Sequence, residues 1–336
     1  MSCSENPLEL LTEVADSLRV ASLHGVDIVV YPELYLSSGP NGSKKALDRE
    51  SYELNIVGNM CEELNVACIM GYVEAANESE LKAEKDDSNN DDDSKTYNSI
   101  AAFNADGSRA GNYRSVSTSK FRKGSPFVEF IPTTLRLPNR ETSKQSSTHE
   151  REIKVGLMCG NDISKPEYSL HLVRCGAQII LAPSSFKNNN MDRTMSNYVT
   201  ATRAIENSVP FVFANRESAT STDDDAKDLD DFIGSSAIIS QDGEYLVCGP
   251  QEEGGDMPSD SGYLIPCKDG ALYAADIDIG TSRTAVIQQS IDQWELNPLI
   301  PDVIGDERSK EKRKERNGFG NSSGKNINGK KKKLKK

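Results

Sequence analysis

The sequence predicts an α/β fold of layered sheets with helices on their outer faces. Two patterns carry that reading. Helical apolar spacing followed by a short buried strand recurs four times, and two Asp-Gly turns flanked by alternating apolar residues mark antiparallel hairpins between these units.

The first unit begins at residue 8, where Leu8, Leu11, Val14, Leu18 and Val20 fall at helical spacing; Gly25 ends the helix and DIVVYPEL follows as a buried strand. A helix over 50–64 then leads into VACIMGYVEA. YNSIAAFNADGSRAGNYR reads as a hairpin turning at Asp106-Gly107. A helix from Glu167 to about Arg174 precedes AQIILAPSS, and a helix over 191–207 precedes PFVFANR. The last hairpin, SAIISQDGEYLVCG, turns at Asp242-Gly243.

With 336 residues, 36% of them apolar, the chain has material for a sizeable core. Its mean hydropathy of -0.57 reflects polar stretches that lack apolar periodicity, near 78–95, 139–151, 217–231 and 251–262. These read as surface insertions in one domain over residues 1–303, followed by a basic, disordered tail over 304–336.

Charge is partitioned. Residues 306–336 carry thirteen Lys/Arg against four Asp/Glu, a net of +9, which leaves -22 on the rest of a chain whose total is -13. An acidic body argues against nucleic-acid binding by the fold itself. The tail, ending GKKKKLKK, fits a nuclear-localisation signal, a contact to nucleic acid or an anionic surface, or a solvated segment folding back on the acidic body. No run is long enough to span a membrane, and MSCSENPLELL lacks the pattern of a signal peptide, so a cytoplasmic location is expected, with nuclear entry through the basic tail as the alternative. The seven cysteines show no CxxC spacing and predict neither a disulfide framework nor a zinc site. Cys175 reads as core, Cys61 and Cys68 as apolar filler, and His24, His149 and His171 lack the spacing of metal ligands or a triad.

Several pieces occur together in one order: VDIVVYPELYLSSG, MGYVEA, the YNSIAAF hairpin, KVGLM with NDISKPE, GAQIILAPSS, RAIENSVPFVFANR, GSSAIISQDGEYL and AADIDI. Their order over residues 8 to 280 resembles the nitrilase, or carbon-nitrogen hydrolase, superfamily. The resemblance implies a four-layer αββα sandwich that pairs into homodimers or larger homo-oligomers. It also implies hydrolysis of small amides or nitriles through a cysteine thioester, by a Glu, Lys and Cys set with no cofactor. In that chemistry a carboxylate takes the thiol proton and later activates water, while the lysine and a backbone N–H hold the oxyanion.

Only one of the three positions matches. Glu33, directly after the apolar run from Ile28 to Pro32, stands at the general-base position. Ser115 stands where the lysine belongs, and it donates one hydrogen bond but no charge. Lys120 and Lys123 follow and read as solvated. The pattern G-x-x-x-C-x-D, anchored by Gly156 and Asp162, places Gly160 at the nucleophile position, with Cys159 one residue early as an off-register candidate nucleophile. Alternation along a strand would turn that thiol to the opposite face, into the core. Asp162 is expected to hold the turn or cap the helix near Pro166, and Asn215 to hydrogen-bond at a strand end. The link from Arg114 to Phe121 is short, and Glu129, the nearest later carboxylate, is out of register. The resemblance also implies an internal strand before the first helix, and that strand is expected to be lacking or the sheet rearranged. Two functions follow: a carbon-nitrogen hydrolase, weakened or inactive, acting on a small amide-type ligand, or a non-catalytic scaffold or small-molecule binding module.

Overall fold

The computed structural model describes residues 7–37, 45–77, 96–116, 131–138, 151–217, 232–249, 262–268 and 270–279. The chain divides into two units, Met1–Asp292 and Gln293–Lys336, and the second, with the basic tail, lies outside the described residues. So do Lys120, Lys123, Glu129, His149 and nearly all of the four polar insertions; only the ends of the insertions are described, with Arg151 opening a strand, Gly262 opening another and Glu217 bridging Ile233.

Helix α1 (Pro7–Leu23) buries Leu10, Leu11, Val14, Leu18 and Ala21 along one stripe and leads into β1 (Ile28–Val30). Helix α2 (Tyr52–Leu64) opens on Ser51, whose side chain accepts from the Leu54 N–H, and closes on Asn65 in the left-handed region. It feeds β2 (Ala67–Ala75), in which the first eight residues are buried, as expected of a strand covered on both faces. The hairpin of β3 (Thr96–Phe103) and β4 (Arg109–Arg114) completes a four-stranded sheet in the order β1-β2-β3-β4; β1 runs parallel to β2 and the other pairs are antiparallel.

The second sheet is built from β5 (Thr133–Leu137), β6 (Arg151–Leu157), β7 (Ile179–Ser184), β8 (Phe211–Asn215), β9 (Ala237–Ile239) and β10 (Tyr245–Cys248), in the spatial order β10-β9-β8-β7-β6-β5. Its parallel centre, β6-β7-β8, is connected through α3 (Pro166–Arg174) and through a helical run over 190–207. A separate hairpin pairs β11 (Gly262–Cys267) with β12 (Gly270–Ala275).

Two apolar clusters fix the layering. One joins α1 and α2 to Cys68, Met70, Tyr72, Ala101 and Phe103 on one face of the first sheet. The other joins Ile69, Ile100, Ala102 and Tyr113 on the opposite face to the second sheet, with Tyr168, Leu172 and Val173 of α3. The first sheet therefore lies between the α1/α2 pair and the second sheet.

The expected helix over 191–207 is broken into α4 (Asn190–Thr194), a π turn (Met195–Val199) and α5 (Thr200–Asn207). The cause is local. The Thr200 hydroxyl takes the Ser196 carbonyl at 2.6 Å, and the Thr200 N–H reaches back to the Met195 carbonyl instead. No described helix is long and apolar enough to cross a membrane.

Candidate active site

Glu33 lies just beyond β1, buried, at the C-terminal ends of the strands. The Glu33 N–H bonds the Ser184 carbonyl at 3.3 Å, and the following Leu34 takes φ 58. A left-handed leucine is uncommon and is held here by its surroundings. Gly71 of β2 makes room: a Cβ there would come within 2.8 Å of the Glu33 Cα and of the Leu34 N. Asn98 of β3 donates through Nδ2 to Glu33 Oε1, and the Ser185 hydroxyl donates to Oε2 at 2.6 Å.

After β6 ends at Leu157, Cys159 is still extended (φ -128, ψ 122), and Gly160 starts a 3-10 turn, Gly160–Ser164. Gly160 has φ +51, and a Cβ built on it would lie 2.7 Å from Glu33 Oε2 and 3.0 Å from Oε1. Position 160 is therefore aimed at the carboxylate and carries no side chain. Cys159 is completely buried among apolar residues, yet it is not turned to the far side of the sheet: its Sγ lies 3.3 Å from Asn98 Oδ1, on the amide whose nitrogen holds Glu33. The expected opposite-face placement fails because β6 ends two residues earlier, so strand alternation no longer sets the direction at 159. Burial pushes the Cys159 thiol well above its ordinary pKa, and the charges of Glu33 and Asp162 push the same way against a smaller opposing effect of the Asn98 hydrogen bond. A nucleophilic thiol needs the reverse, an electropositive and accessible setting.

Asp162 organises the turn. Its Oδ2 accepts from the Tyr113 hydroxyl at 2.7 Å and from the Cys159 N–H at 3.1 Å; its Oδ1 accepts from the Val116 N–H at 3.0 Å and the Ser115 hydroxyl at 3.3 Å. Ser115, buried and tied also by its N–H to the Asn98 carbonyl at 2.8 Å, thus spends its one side-chain donor on Asp162. Glu33, Ser115, Cys159 and Gly160 are all brought into one cluster. Asn98 and Ser185, which hold Glu33, were missed by sequence reasoning. The only signals were a polar Asn within the YNSIAAF strand and a second serine after IILAPS.

Two other residues differ from or complete the expectations. Cys175, expected in the core, is exposed, because it is the C-cap of α3 rather than part of β7; its Sγ lies 3.5 Å from His171 Nε2. Asn215 is buried, accepting from the Phe186 N–H at 2.7 Å and donating to the Gly234 carbonyl at 2.8 Å. Among the described residues no group of three or more His, Cys, Asp or Glu side chains is placed to hold a metal.

A family model described as carbon-nitrogen hydrolase matches residues 4–281, most of the chain. The chain belongs to the carbon-nitrogen hydrolase family. Solved structures agree on the fold. A carbon-nitrogen hydrolase from Helicobacter pylori G27 is 20% identical, with a TM-score of 0.58, covering 89% of this chain and 96% of its own. Nit3 of Saccharomyces cerevisiae, a member of branch 10 of the nitrilase superfamily, is 15% identical, with a TM-score of 0.56 and coverages of 86% and 90%. A point variant of the amidase from Nesterenkonia sp. AN1 in complex with butyramide is 16% identical, with a TM-score of 0.53 and coverages of 76% and 85%. No curated protein matches the sequence.

Proposed function

We propose that this carbon-nitrogen hydrolase-like protein has lost thioester chemistry and serves as a non-catalytic scaffold or binding module for a small amide-type ligand. One observation carries the reading: position 160, which faces Glu33 at 2.7 Å from a constructed Cβ, is glycine. Cys159 supplies no substitute, since its thiol is buried, disfavoured as thiolate and hydrogen-bonded to Asn98. Ser115 supplies no charge for an oxyanion. Removing one oxyanion donor costs a factor of about 100 to 1000, and loss of the nucleophile costs on the order of a million.

The test is turnover on a panel of small amides and nitriles that includes butyramide, the compound bound to the Nesterenkonia amidase. No ammonia release above background is expected from the native chain. Turnover abolished in Cys159→Ala would overturn the reading in favour of a working hydrolase, whereas gain of turnover in Gly160→Cys combined with Ser115→Lys would mark a decayed site. Butyramide binding to the native chain, weakened in Glu33→Gln, would support a retained binding role.

The exposed apolar side chains Met191, Tyr198 and Ile205, 70%, 69% and 55% exposed and spaced seven residues apart on the helical run over 190–207, support homodimerisation through that run. Light scattering of the Tyr198→Glu variant tests it; a monomer is expected.

A further inference from the structure

A cavity of about 410 Å³ is lined by none of Glu33, Asn98, Cys159 or Gly160. Two strand edges border it. One is β1, which pairs with β2 alone at the end of the first sheet. The Ala67 N–H donates to the Asp27 carbonyl at 3.0 Å and the Tyr31 N–H donates to the Ile69 carbonyl at 2.9 Å, so the odd-numbered residues turn their peptide groups toward β2. Alternate residues of a strand address opposite edges, so Ile28 and Val30 turn their N–H and C=O groups toward the cavity, where nothing among the described residues takes them. The other border is Ala271 to Asp276, comprising most of β12, which is paired with β11 along one edge only.

We infer that this slot binds an extended apolar segment of another polypeptide, about five residues long, added as a strand between β12 and β1. A small apolar molecule of the same volume would leave the Ile28 and Val30 peptide groups unpaired, whereas a strand satisfies both edges at once. Ile153, Leu181 and Phe213 wall the cavity on the core side, and Leu272, which also lines it, packs against the α1/α2 core. Covered on two faces, the inserted strand has to be continuously apolar rather than alternating. The charged lining residues are Asp27, Glu217 and Asp276 against Arg151 alone, which favours basic residues flanking the apolar run. The inference does not depend on whether the catalytic position is active.

The experiment titrates the full chain into a fluorescein-labelled peptide, Lys-Val-Ile-Val-Ala-Val-Lys with blocked ends, reading anisotropy and amide hydrogen exchange. Saturable binding is expected, with slowed exchange at Ile28 and Val30 and an affinity weakened about tenfold or more for a peptide N-methylated at alternate residues, which keeps the side chains but loses the strand donors. Equal binding of the N-methylated peptide would leave only an apolar cavity and overturn the inference. It is equally overturned by absence of saturable binding, or by Ile28 and Val30 amides already protected in the chain alone, which would mean that the protein fills the edge itself.

Discussion

The Tyr113 hydroxyl meets Asp162 Oδ2 at 2.7 Å, joining the end of β4 to the turn that follows β6 across the interface of the two sheets. Asp162 is fully buried and also gathers the Cys159 and Val116 N–H groups and the Ser115 hydroxyl. Asp162→Ala leaves two main-chain donors without that acceptor in the interior. A loss of roughly 3 kcal/mol or more is expected, as a lower urea midpoint, with Tyr113→Phe losing about 1 kcal/mol.

Gly71→Ala places a methyl group against the Glu33 backbone and is expected to destabilise by about 1–3 kcal/mol through overpacking. Gly160→Ala adds the strain of a left-handed alanine, about 1–2 kcal/mol, and pushes on the Glu33 carboxylate. Chemical denaturation checks both. The second variant should also weaken any ligand that binding measurements show to depend on Glu33.

Glu74 gives the fold an acid-sensitive element on the opposite face of the first sheet. It receives Arg49 Nε at 2.6 Å, Arg114 Nε at 3.0 Å, the Ser99 hydroxyl at 2.7 Å and Asn112 Nδ2 at 2.9 Å. Burial pushes its pKa up, but the hydrogen bonds from Arg114 and Ser99 and the charges of Arg114 and Arg49 outweigh burial and hold the carboxyl below its ordinary range. A depressed folded-state pKa means that this stabilisation is complete above the unfolded Glu value of about 4.3 and is lost as pH falls through the lower folded value. Urea midpoints measured from about pH 6 to about pH 3 should fall, and the fall should be shallower in Glu74→Gln. Arg114→Ala, which leaves Arg49 as the remaining cation on Glu74, is expected to cost roughly 1.5–3 kcal/mol.

Alkylation of the folded chain by iodoacetamide should be ordered by exposure. Cys175 is exposed whereas Cys61, Cys68 and Cys159 are buried, so mass mapping should find Cys175 modified well before those three. Cys175→Ser should remove its phase while Cys159→Ser leaves the early time course unchanged. Early modification of Cys159 would contradict its placement.

Much of the fold was legible because it rests on periodicity. The stripe of α1, the buried run of β2 and the Asp-Gly hairpins each announce their element through local pattern alone. The spacing from Gly156 through Asp162 to Pro166 located the turn and singled out Gly160, where a Cβ would lie 2.7 Å from Glu33 Oε2. What escaped depends on atoms brought together from distant strands. Nothing local to Asn98 or Ser185 says that they grip Glu33, and the Cys159 direction could not be read from alternation once the strand had ended. The π turn at Met195–Val199 turns on which carbonyl Thr200 chooses, and the exposure of Cys175 on its place as the C-cap of α3, ahead of the buried run that leads into β7.

Asn98 and Ser99 are adjacent in β3 and point to opposite faces, one to Glu33 and the other to Glu74. The ion network that stabilises the sheet is thus insulated from the cluster where the reaction would occur by the thickness of a single strand. A substitution confined to the Glu33 side can therefore alter the site without removing any partner of Glu74.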